Sequence, residues 1–287
     1  MNDRAFMIAD INGRFNGLLR KNDYNSLKQC RTMDEITIKL SQRFYFIHED
    51  MSYKDLRSKF VENIIDELKE FELLELNYFI EYYKIINFFN KLDNIDELLI
   101  GKFPELKVID LCKSFEDVQK LCINNCFLKK YFINVKKDEN QRMMLKVLKN
   151  FMDKTYKNAC GYFKEILQHE GNRQILEICL NGKNLEDKIQ YFPAANTFTG
   201  SELNLLAVNC DIDEIKRIFK AGEGDPINLC IKNIMRIYSD SFNQFSDASC
   251  IYSYFKLKEQ ELENIMWIIE CVLQEAGDKI DEIISIE

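Results

Sequence analysis

The stretch "QCRTMDEI", residues 29–36, carries the signal on which the fold prediction rests. Thr32 is a favoured N-cap residue, the residue that precedes the first turn of a helix. Glu35 follows at the spacing of a capping box, in which a carboxylate reaches back to the backbone amide of the cap. Two similar stretches occur later, "LCKSFEDV" at 111–118 and "VNCDIDEI" at 208–215, with Ser114 and Asp211 in the cap position. Each stretch therefore predicts the start of a short amphipathic helix.

The threefold repetition predicts three related helical units. Apolar residues precede each cap, and Ile36, Val118 and Ile215 continue one apolar stripe behind it. Capping boxes are common in helical chains, so coincidence is the alternative, but the shared context favours a repeat. With prolines as boundary marks, the predicted units are residues 1–100, 101–192 and 193–287.

The composition favours helices over sheets. The 287 residues are 46% apolar and 30% charged, with only 3 prolines and 10 glycines, whereas sheet-rich folds need many tight turns. Apolar residues recur at steps of three and four along 55–76, 76–89, 143–167 and 254–287, which predicts a helix in each segment. We expect an all-α chain with no strand longer than a few residues.

Several function classes are disfavoured by the sequence. The formal charge of −8 argues against nucleic-acid binding. The pair of cysteines in "CINNC", 122–126, lacks histidines at zinc-site spacing, so we expect no metal site. We also expect no cofactor, since phosphate loops, dinucleotide fingerprints and catalytic signatures are absent. His169 is interpreted as a residue at a helix end. The start of the chain has no apolar signal-peptide core, which predicts a reduced, cytosolic chain.

The C-terminal stretch "YFKLKEQELENIMWIIECVLQEAGDKIDEIISIE", 254–287, predicts one long helix. Its apolar stripe is widest around Met266, Trp267 and Ile268, so we expect that turn to be deeply buried, with Trp267 as a core anchor.

This stretch resembles the C-terminal signature of a known family, the d subunits of V-type proton ATPases and their relatives in archaeal A-type ATPases. The matching residues are Lys256, Leu257, Lys258, Glu259, Gln260, Glu261, Asn264, Trp267, Glu270 and Cys271. Weaker similarities follow the family in order at 22–40, 55–64, 76–89 and 184–193.

The resemblance implies three similar helical bundles that form a funnel. It also implies a non-catalytic rotor subunit on the cytosolic face of a vacuolar or other endomembrane, where it would couple rotation of the central stalk to proton transport. The implied partners are the proteolipid ring of the membrane sector, the central-stalk subunits of the catalytic sector and the other ATPase subunits. Contact with the membrane would be indirect, through the ring.

The resemblance further implies that Cys30 and Cys271, near the two ends of the chain, lie close in space. We expect two buried thiols rather than a permanent disulfide, because the cytosol is reducing. Two other functions stay open at the level of sequence: a free helical-repeat adaptor that binds soluble proteins, and a hydrolase without a recognisable motif.

Overall fold

The computed structural model describes residues 2–71, 74–93, 103–112, 114–124, 127–132, 135, 138–182, 185–208, 211–244 and 249–284. Its regular elements are all helical, and no β-strand occurs within these ranges, so the predicted all-α class is confirmed. The motif "CINNC" extends beyond the described residues, and the segment 94–102 and the Asn209–Cys210 pair lie outside them.

Contacts divide the chain into two units. The first unit combines both ends of the chain, 1–77 and 235–287. It contains α1 (Asn2–Phe15), α2 (Lys21–Lys28), α3 (Met33–Ser41), α4 (Tyr53–Lys69) and the start of α5 (Leu74–Leu92). From the C-terminal part it contains the end of α11 (Pro226–Asp240), α12 (Ser249–Leu273) and two 3-10 helices, Ser241–Asn243 and Gly277–Glu282.

The second unit is the continuous segment 78–234. It holds the rest of α5, α6 (Phe115–Asn124), α7 (Asn140–Asn158), α8 (Gly161–Asn181), α9 (Gly200–Val208), α10 (Ile212–Ile218) and the start of α11. Short 3-10 helices at Pro104–Leu111, Phe127–Lys130 and Lys188–Tyr191 connect them. The predicted division into three repeated bundles is not tested by this grouping and stays a prediction.

All three predicted caps are confirmed, but only the second forms a reciprocal box. Ser114 and Asp117 exchange backbone-to-side-chain hydrogen bonds of 3.2 and 3.1 Å. Thr32 accepts the amide hydrogen of Glu35 at 3.3 Å, while the carboxylate of Glu35 bonds the amide of Arg31 instead of the cap.

The capping box predicted at the third stretch is wrong, because the Glu214 carboxylate does not bond the cap residue. Asp211 caps α10 by accepting the amide of Asp213 at 3.1 Å. The carboxylate of Glu214 turns to the guanidinium of Arg217 at 2.5 and 2.9 Å, because an arginine one turn later offers a charged, bidentate partner.

The helix predicted over 143–167 is two helices. α7 ends at Asn158, Ala159 and Cys160 are extended, and Gly161 begins α8 with φ +58°. A left-handed conformation is accessible to glycine without steric cost, so the chain turns there. As a result His169 lies in the middle of α8 and not at a helix end, which corrects that interpretation.

The C-terminal stretch is also interrupted. α12 ends at Leu273, and Glu275 takes φ +54°. The amide of Ala276 bonds the carbonyl of Cys271 at 2.8 Å, and that of Glu275 bonds the carbonyl of Val272 at 3.3 Å. These bonds form a Schellman motif, a helix C-cap that usually contains glycine. The segment 277–282 continues as a 3-10 helix instead of extending α12.

The apolar faces of two predicted helices can be compared directly with burial. On α4 the predicted stripe is buried throughout: Leu56, Phe60, Ile64 and Leu68, followed by Phe71. On α5 the buried side chains include Phe79 and Phe89 as predicted, but Tyr82, Tyr83 and Ile86 are only partly buried. Tyr78, Ile85 and Phe88 take the remaining inner positions.

Candidate functional site: the signature helix and its contacts

The C-terminal signature, residues 256–271, lies on α12, which is buried on nearly all sides. Seventeen of its 25 residues are buried. Within the first unit α12 contacts α1, α2, α3, α4 and both flanking 3-10 helices. Polar residues of α12, among them Lys258, Glu261 and Asn264, are buried together with its apolar ones, so the helix lies inside the first unit. In the first unit, Ile265, Ile268 and Ile269 of α12 join Ile36 of α3 and Phe60 of α4 in one core cluster.

Lys258 is the centre of a polar network inside this core. The residue is 7% exposed, and its ammonium forms a short ion pair with the carboxylate of Glu67 on α4. The same ammonium donates to the side-chain oxygen of Asn63 at 3.0 Å, and the Tyr254 hydroxyl donates to Glu67 at 3.4 Å. A buried lysine is tolerated only when paired, so α12 and α4 have to stay in this register.

Arg14 extends the network to α1. Its guanidinium lies 3.6 Å from Glu67, 3.1 Å from Glu70 and 3.0 Å from Asp10. It also lies over the ring of Phe71, 5.4 Å from the centroid. The carboxylate of Glu67 on α4 therefore interacts with Arg14 of α1 and with Lys258 of α12, which connects three helices.

Glu261 is the most buried charged residue of the signature. It is 1% exposed, and its Oε1 accepts the backbone amide of Leu19 at 2.6 Å. Burial raises the pKa of Glu261 from 4.5 to about 7, although the Leu19 hydrogen bond and the Lys258 charge act in the opposite direction. The side chain joins the loop between α1 and α2 to the C-terminal helix.

Asn264 and Trp267 hold the chain that follows α12. Asn264 donates to the carbonyl of Ile284 at 2.7 Å and accepts the amide of the same residue at 3.2 Å. The indole of Trp267 donates to the carbonyl of Lys279 at 3.0 Å. Asn264 is buried, whereas Trp267 is only partly buried, so the prediction that the whole turn is deeply buried is wrong for its tryptophan.

The remaining signature residues have local roles. Leu257 is fully buried. Lys256 pairs with Glu259 at 2.8 Å, and Gln260 donates to Asn264 at 3.0 Å. Glu270 is exposed and accepts a hydrogen bond from Gln274 at 3.0 Å. The signature thus consists mainly of residues that assemble the first unit.

Cys30 and Cys271 are both buried, free thiols of the first unit. The Cys30 thiol lies 3.7 Å from the carbonyl of Ser26. Burial, together with the charge of Glu270, raises the pKa of Cys271, which keeps the thiol protonated and weakly reactive. Their mutual proximity stays a prediction.

The second unit contains an open cavity of about 290 Å³. His169, Asn172, Glu202, Lys220 and Cys230 contribute to its wall. Burial lowers the pKa of His169, so the imidazole is mainly neutral near pH 7. Asn172 donates to the Thr197 hydroxyl at 2.8 Å and accepts the Thr197 amide at 3.0 Å. Across the described ranges no group of three or more His, Cys, Asp or Glu could hold a metal ion.

Within the described ranges, every helix is either too short or too polar to span a lipid bilayer.

Comparison with known sequences gives consistent results along the chain. The sequence model of the ATP synthase (C/AC39) subunit family matches residues 83–283. The chain is 24% identical to the V-type proton ATPase subunit d of Saccharomyces cerevisiae, over 99% of this chain and 97% of the relative. It is 21% identical to the probable V-type proton ATPase subunit d of Oryza sativa subsp. japonica and 22% identical to subunit d2 of Arabidopsis thaliana, in each case over 97% of this chain and 95% of the relative.

Proposed function

Since this chain belongs to the ATP synthase (C/AC39) subunit family, we propose that it is the d-type rotor subunit of a V-type proton ATPase, seated between the proteolipid ring and the central stalk. It is a non-catalytic member of the complex. The observation that carries the assignment is the near-complete coverage, in both directions, of relatives named V-type proton ATPase subunit d.

The interior of the first unit suits the transmission of torque. A rotor subunit has to resist deformation, and close-packed interiors have low compressibility. In the first unit the buried Lys258–Glu67 pair and the Arg14 contacts add ties between α1, α4 and α12. A shear of these helices against one another would leave buried charges unpaired, which is costly.

The proposed position is the cytosolic face of a vacuolar or other endomembrane. The chain would contact the proteolipids and the stalk subunits, and it would reach the membrane only through the ring. The similarity of the relatives supports membership of the complex; the individual contacts are part of the proposal.

The decisive experiment is a pull-down of the tagged chain from detergent-solubilised membranes, analysed by mass spectrometry. We expect co-purification of a small, very hydrophobic proteolipid together with stalk subunits. Recovery of the chain alone, or only with soluble proteins, would contradict the rotor assignment and support the adaptor alternative.

Cross-linking of the same preparation would locate the two faces. Lysine-reactive cross-links to stalk subunits and to the ring should fall on different groups of exposed lysines. If both partners cross-link to the same lysines, the proposed seat between ring and stalk is wrong.

A further inference from the structure

The open cavity of the second unit is lined by residues from four helices and one loop. α11 turns one side toward it, because the lining residues Pro226, Leu229, Cys230 and Asn233 recur at helical steps. The middle of α8, the segment 192–199, the start of α9 and the end of α10 supply the rest of the wall. The volume of about 290 Å³ lies at the lower limit for small-molecule sites, about 300–1,000 Å³, so the space suits one molecule of the size of an amino acid.

The apolar part of the wall is firmly packed. The rings of Phe198 and Phe219 meet edge to face with their centroids 4.9 Å apart, and both pack against the core cluster that contains Ile218 and Cys230. Such a preformed surface can receive an alkyl or aromatic group. Burial raises the pKa of Cys230 to about 11, so the thiol stays neutral and is not activated for covalent chemistry. The cavity is therefore suited to binding rather than to reaction.

Two opposite charges stand on the wall, Glu202 near the start of α9 and Lys220 after the end of α10. One oxygen of Glu202 accepts the amide and the hydroxyl of Thr199 at 2.7 and 2.8 Å, whereas its other oxygen has no hydrogen-bond partner among the described residues. These bonds, followed by the charges of Lys220 and Arg217, lower the pKa of Glu202, so the group is a carboxylate at neutral pH. Lys220 forms no ion pair in the part of the chain that the structure describes. Each charge can therefore take a partner from outside the chain.

The backbone of Lys220 is in a conformation that favours glycine. Its φ is +56°, and the amide of Ala221 bonds the carbonyl of Lys216 at 2.8 Å, which makes Lys220 the left-handed residue of a helix C-cap. A side chain at such a position is strained, and strained residues often belong to ligand sites. The strain at Lys220 sets an ammonium group on the wall of a cavity.

Two neutral polar groups lie on the same wall. His169 of α8 is mainly the neutral imidazole, with one donor and one acceptor nitrogen, because burial lowers its pKa. The side-chain amide of Asn233 on α11 also offers a donor and an acceptor. Neither side chain has a hydrogen-bond partner among the described residues, whereas Asn172 already uses its amide on Thr197. The cavity thus has unused donors and acceptors besides its two charges.

These features limit the chemistry of an occupant. A purely apolar molecule would cover the free groups of Glu202 and Lys220 without replacing the hydrogen bonds of their water, which is costly. A phosphate or a dicarboxylate would meet the like charge of Glu202, and a simple cation would meet that of Lys220. A molecule that carries an ammonium and a carboxylate beside an apolar group matches both charges and the aromatic part of the wall at once.

We propose that this cavity binds a free α-amino acid with a large apolar side chain, such as leucine or phenylalanine. Lys220 binds its carboxylate, Glu202 binds its ammonium, and its apolar side chain lies against Phe198 and Phe219. The polar wall next to these charges supplies further hydrogen bonds. The inference does not rest on the proposed rotor function.

The first test is a titration of the full chain, labelled with ¹³C at the isoleucine and leucine methyl groups, with L-phenylalanine and with L-leucine. Ile218 and Leu229 report on the cavity, and Ile218→Val and Leu229→Met identify their signals by disappearance. We expect saturable shifts with a dissociation constant on the order of 1 mM or lower. Absence of shifts for both amino acids at about 20 mM would overturn the proposal.

Analogues that lack one of the three groups separate an amino-acid site from an apolar pocket. Hydrocinnamate has no ammonium, phenethylamine has no carboxylate, and glycine has no apolar side chain. Each should bind at least tenfold more weakly than L-phenylalanine. Equal binding of L-phenylalanine and either single-charge analogue would overturn the assignment of an amino acid, because the missing charge would then have no partner in the cavity.

The variant Lys220→Gly tests the site with little risk to the fold. Glycine removes the ammonium and the backbone strain together, so the chain should be at least as stable as the parent while it binds phenylalanine at least tenfold more weakly. Glu202→Gln keeps an oxygen for Thr199 but loses the charge, and it should weaken binding to a similar extent. Lys232→Gln, an exposed change on α11 outside the wall, is the control and should leave the dissociation constant unchanged. Equal affinities of all three variants and the parent would contradict the proposal.

Urea unfolding provides an independent readout. A ligand that binds only the folded chain, at about ten times its dissociation constant, lowers the equilibrium constant for unfolding about elevenfold. L-Phenylalanine should therefore shift the unfolding midpoint to higher urea in the parent and in Lys232→Gln, with a much smaller shift in Lys220→Gly. An equal shift in Lys220→Gly would contradict the site. None of these measurements requires the ATPase, so a negative result would leave the proposed function standing.

Discussion

Lys258 illustrates how a single side chain fixes the register of α12 against α4. Its partners Asn63 and Glu67 precede it by 195 and 191 residues. Replacing Lys258 with methionine keeps the length of the side chain but leaves Glu67 with the more distant Arg14 and the neutral Tyr254 hydroxyl. We expect the free energy of unfolding to fall by about 3 kcal/mol, the usual cost of removing one partner from a buried pair.

Arg57→Met is the matched control for Lys258→Met. Arg57 also joins α4 to α12, through Glu263 at 3.2 Å, but both side chains are substantially exposed. Exposed pairs of this kind contribute less than about 1 kcal/mol. Urea unfolding monitored by circular dichroism would measure both variants, and equal losses would show that burial of the Lys258 pair has no special effect.

The sequence identified Lys258, Glu261 and Asn264 as members of a signature but could not assign their roles. Their partners are Glu67, Leu19 and Ile284, and the first two are far away in sequence. Glu67 lies on the polar face of α4, and the sequence pattern predicts that this face is exposed to solvent. No local periodicity distinguishes a glutamate that meets a buried lysine from one that meets water, so these contacts required the structure.

The second prediction at the scale of single residues concerns Cys30 and Cys271. Both are buried in the first unit, and we predict that their thiols are close enough to be linked. Mild oxidation of the purified chain, followed by peptide mapping, should yield a Cys30–Cys271 disulfide, which Cys271→Ser should abolish. Cys250→Ser, a buried change on the same helix, should leave the yield unchanged. If oxidation gives no linked peptide, or links other pairs at equal yield, the predicted proximity is wrong.

At the scale of the elements, α8 and the segment 192–199 depend on Gly171. A Cβ atom at this position would lie 1.6 Å from the carbonyl oxygen of Ala195. Asn172 fixes the same segment through Thr197, and Asp153 of α7 accepts the amide of Ala194 at 2.6 Å. A glycine in mid-helix costs stability, and here it permits the segment to contact the helix backbone.

We therefore predict that Gly171→Ala destabilises the chain by about 3 kcal/mol or more, since the carbonyl and the loop have to move. The control is Gly13→Ala on α1, where a Cβ would meet nothing within 4 Å. This change should raise the free energy of unfolding by about 0.5–1 kcal/mol, because alanine favours the helix. Thermal and urea unfolding would measure the change in free energy of unfolding for the two variants, which should have opposite signs. A Gly171→Ala chain as stable as the parent would contradict the close approach of the Ala195 carbonyl to α8.

Helix interiors were predictable from the sequence, whereas two of their ends were not. The stripe on α4 has the predicted register because apolar residues recur at helical steps without interruption. The break before Gly161 and the C-cap at Glu275 depend on single left-handed residues. Glu275 has no intrinsic preference for that conformation, so the hydrogen bonds from Glu275 and Ala276 to Val272 and Cys271 determine where α12 ends.

At the scale of the whole molecule, the first unit is assembled from both ends of the chain. Residues 1–77 supply α1 to α4 and 235–287 supply α12. Capping and periodicity could suggest three successive bundles but not this discontinuous unit, since the contacts of α12 with α4 and with the loop after α1 join segments 191 and 242 residues apart. The resemblance alone pointed to it, through the implied proximity of Cys30 and Cys271. The family resemblance, in contrast, was accessible from a short signature, because all of its residues lie within one helix.

This arrangement leads to a prediction for truncated chains. Ending the chain after residue 248 removes α12 and with it Leu262, Ile265, Ile268 and Ile269, all part of the core of the first unit. The helices α1 to α4 would then expose Leu56, Phe60 and their neighbours to water, at a cost of about 1.5–3 kcal/mol for each large side chain. The second unit contains its own core cluster, around Ile175 and Leu176 on α8, and all of that cluster lies before residue 248.

In the chain that ends at residue 248, hydrogen exchange with mass spectrometry should therefore show lost protection in the first unit and retained protection in the second. Peptides from residues 5–69 should exchange almost completely within the shortest labelling time, while peptides from 161–181 should keep their protection. A chain that ends after residue 284 retains every contact described for Asn264 and Trp267 and should exchange like the parent throughout. Protection of residues 5–69 without α12 would mean that the N-terminal helices fold by themselves, and that the signature helix owes its composition to contacts outside the chain rather than to the assembly of this unit.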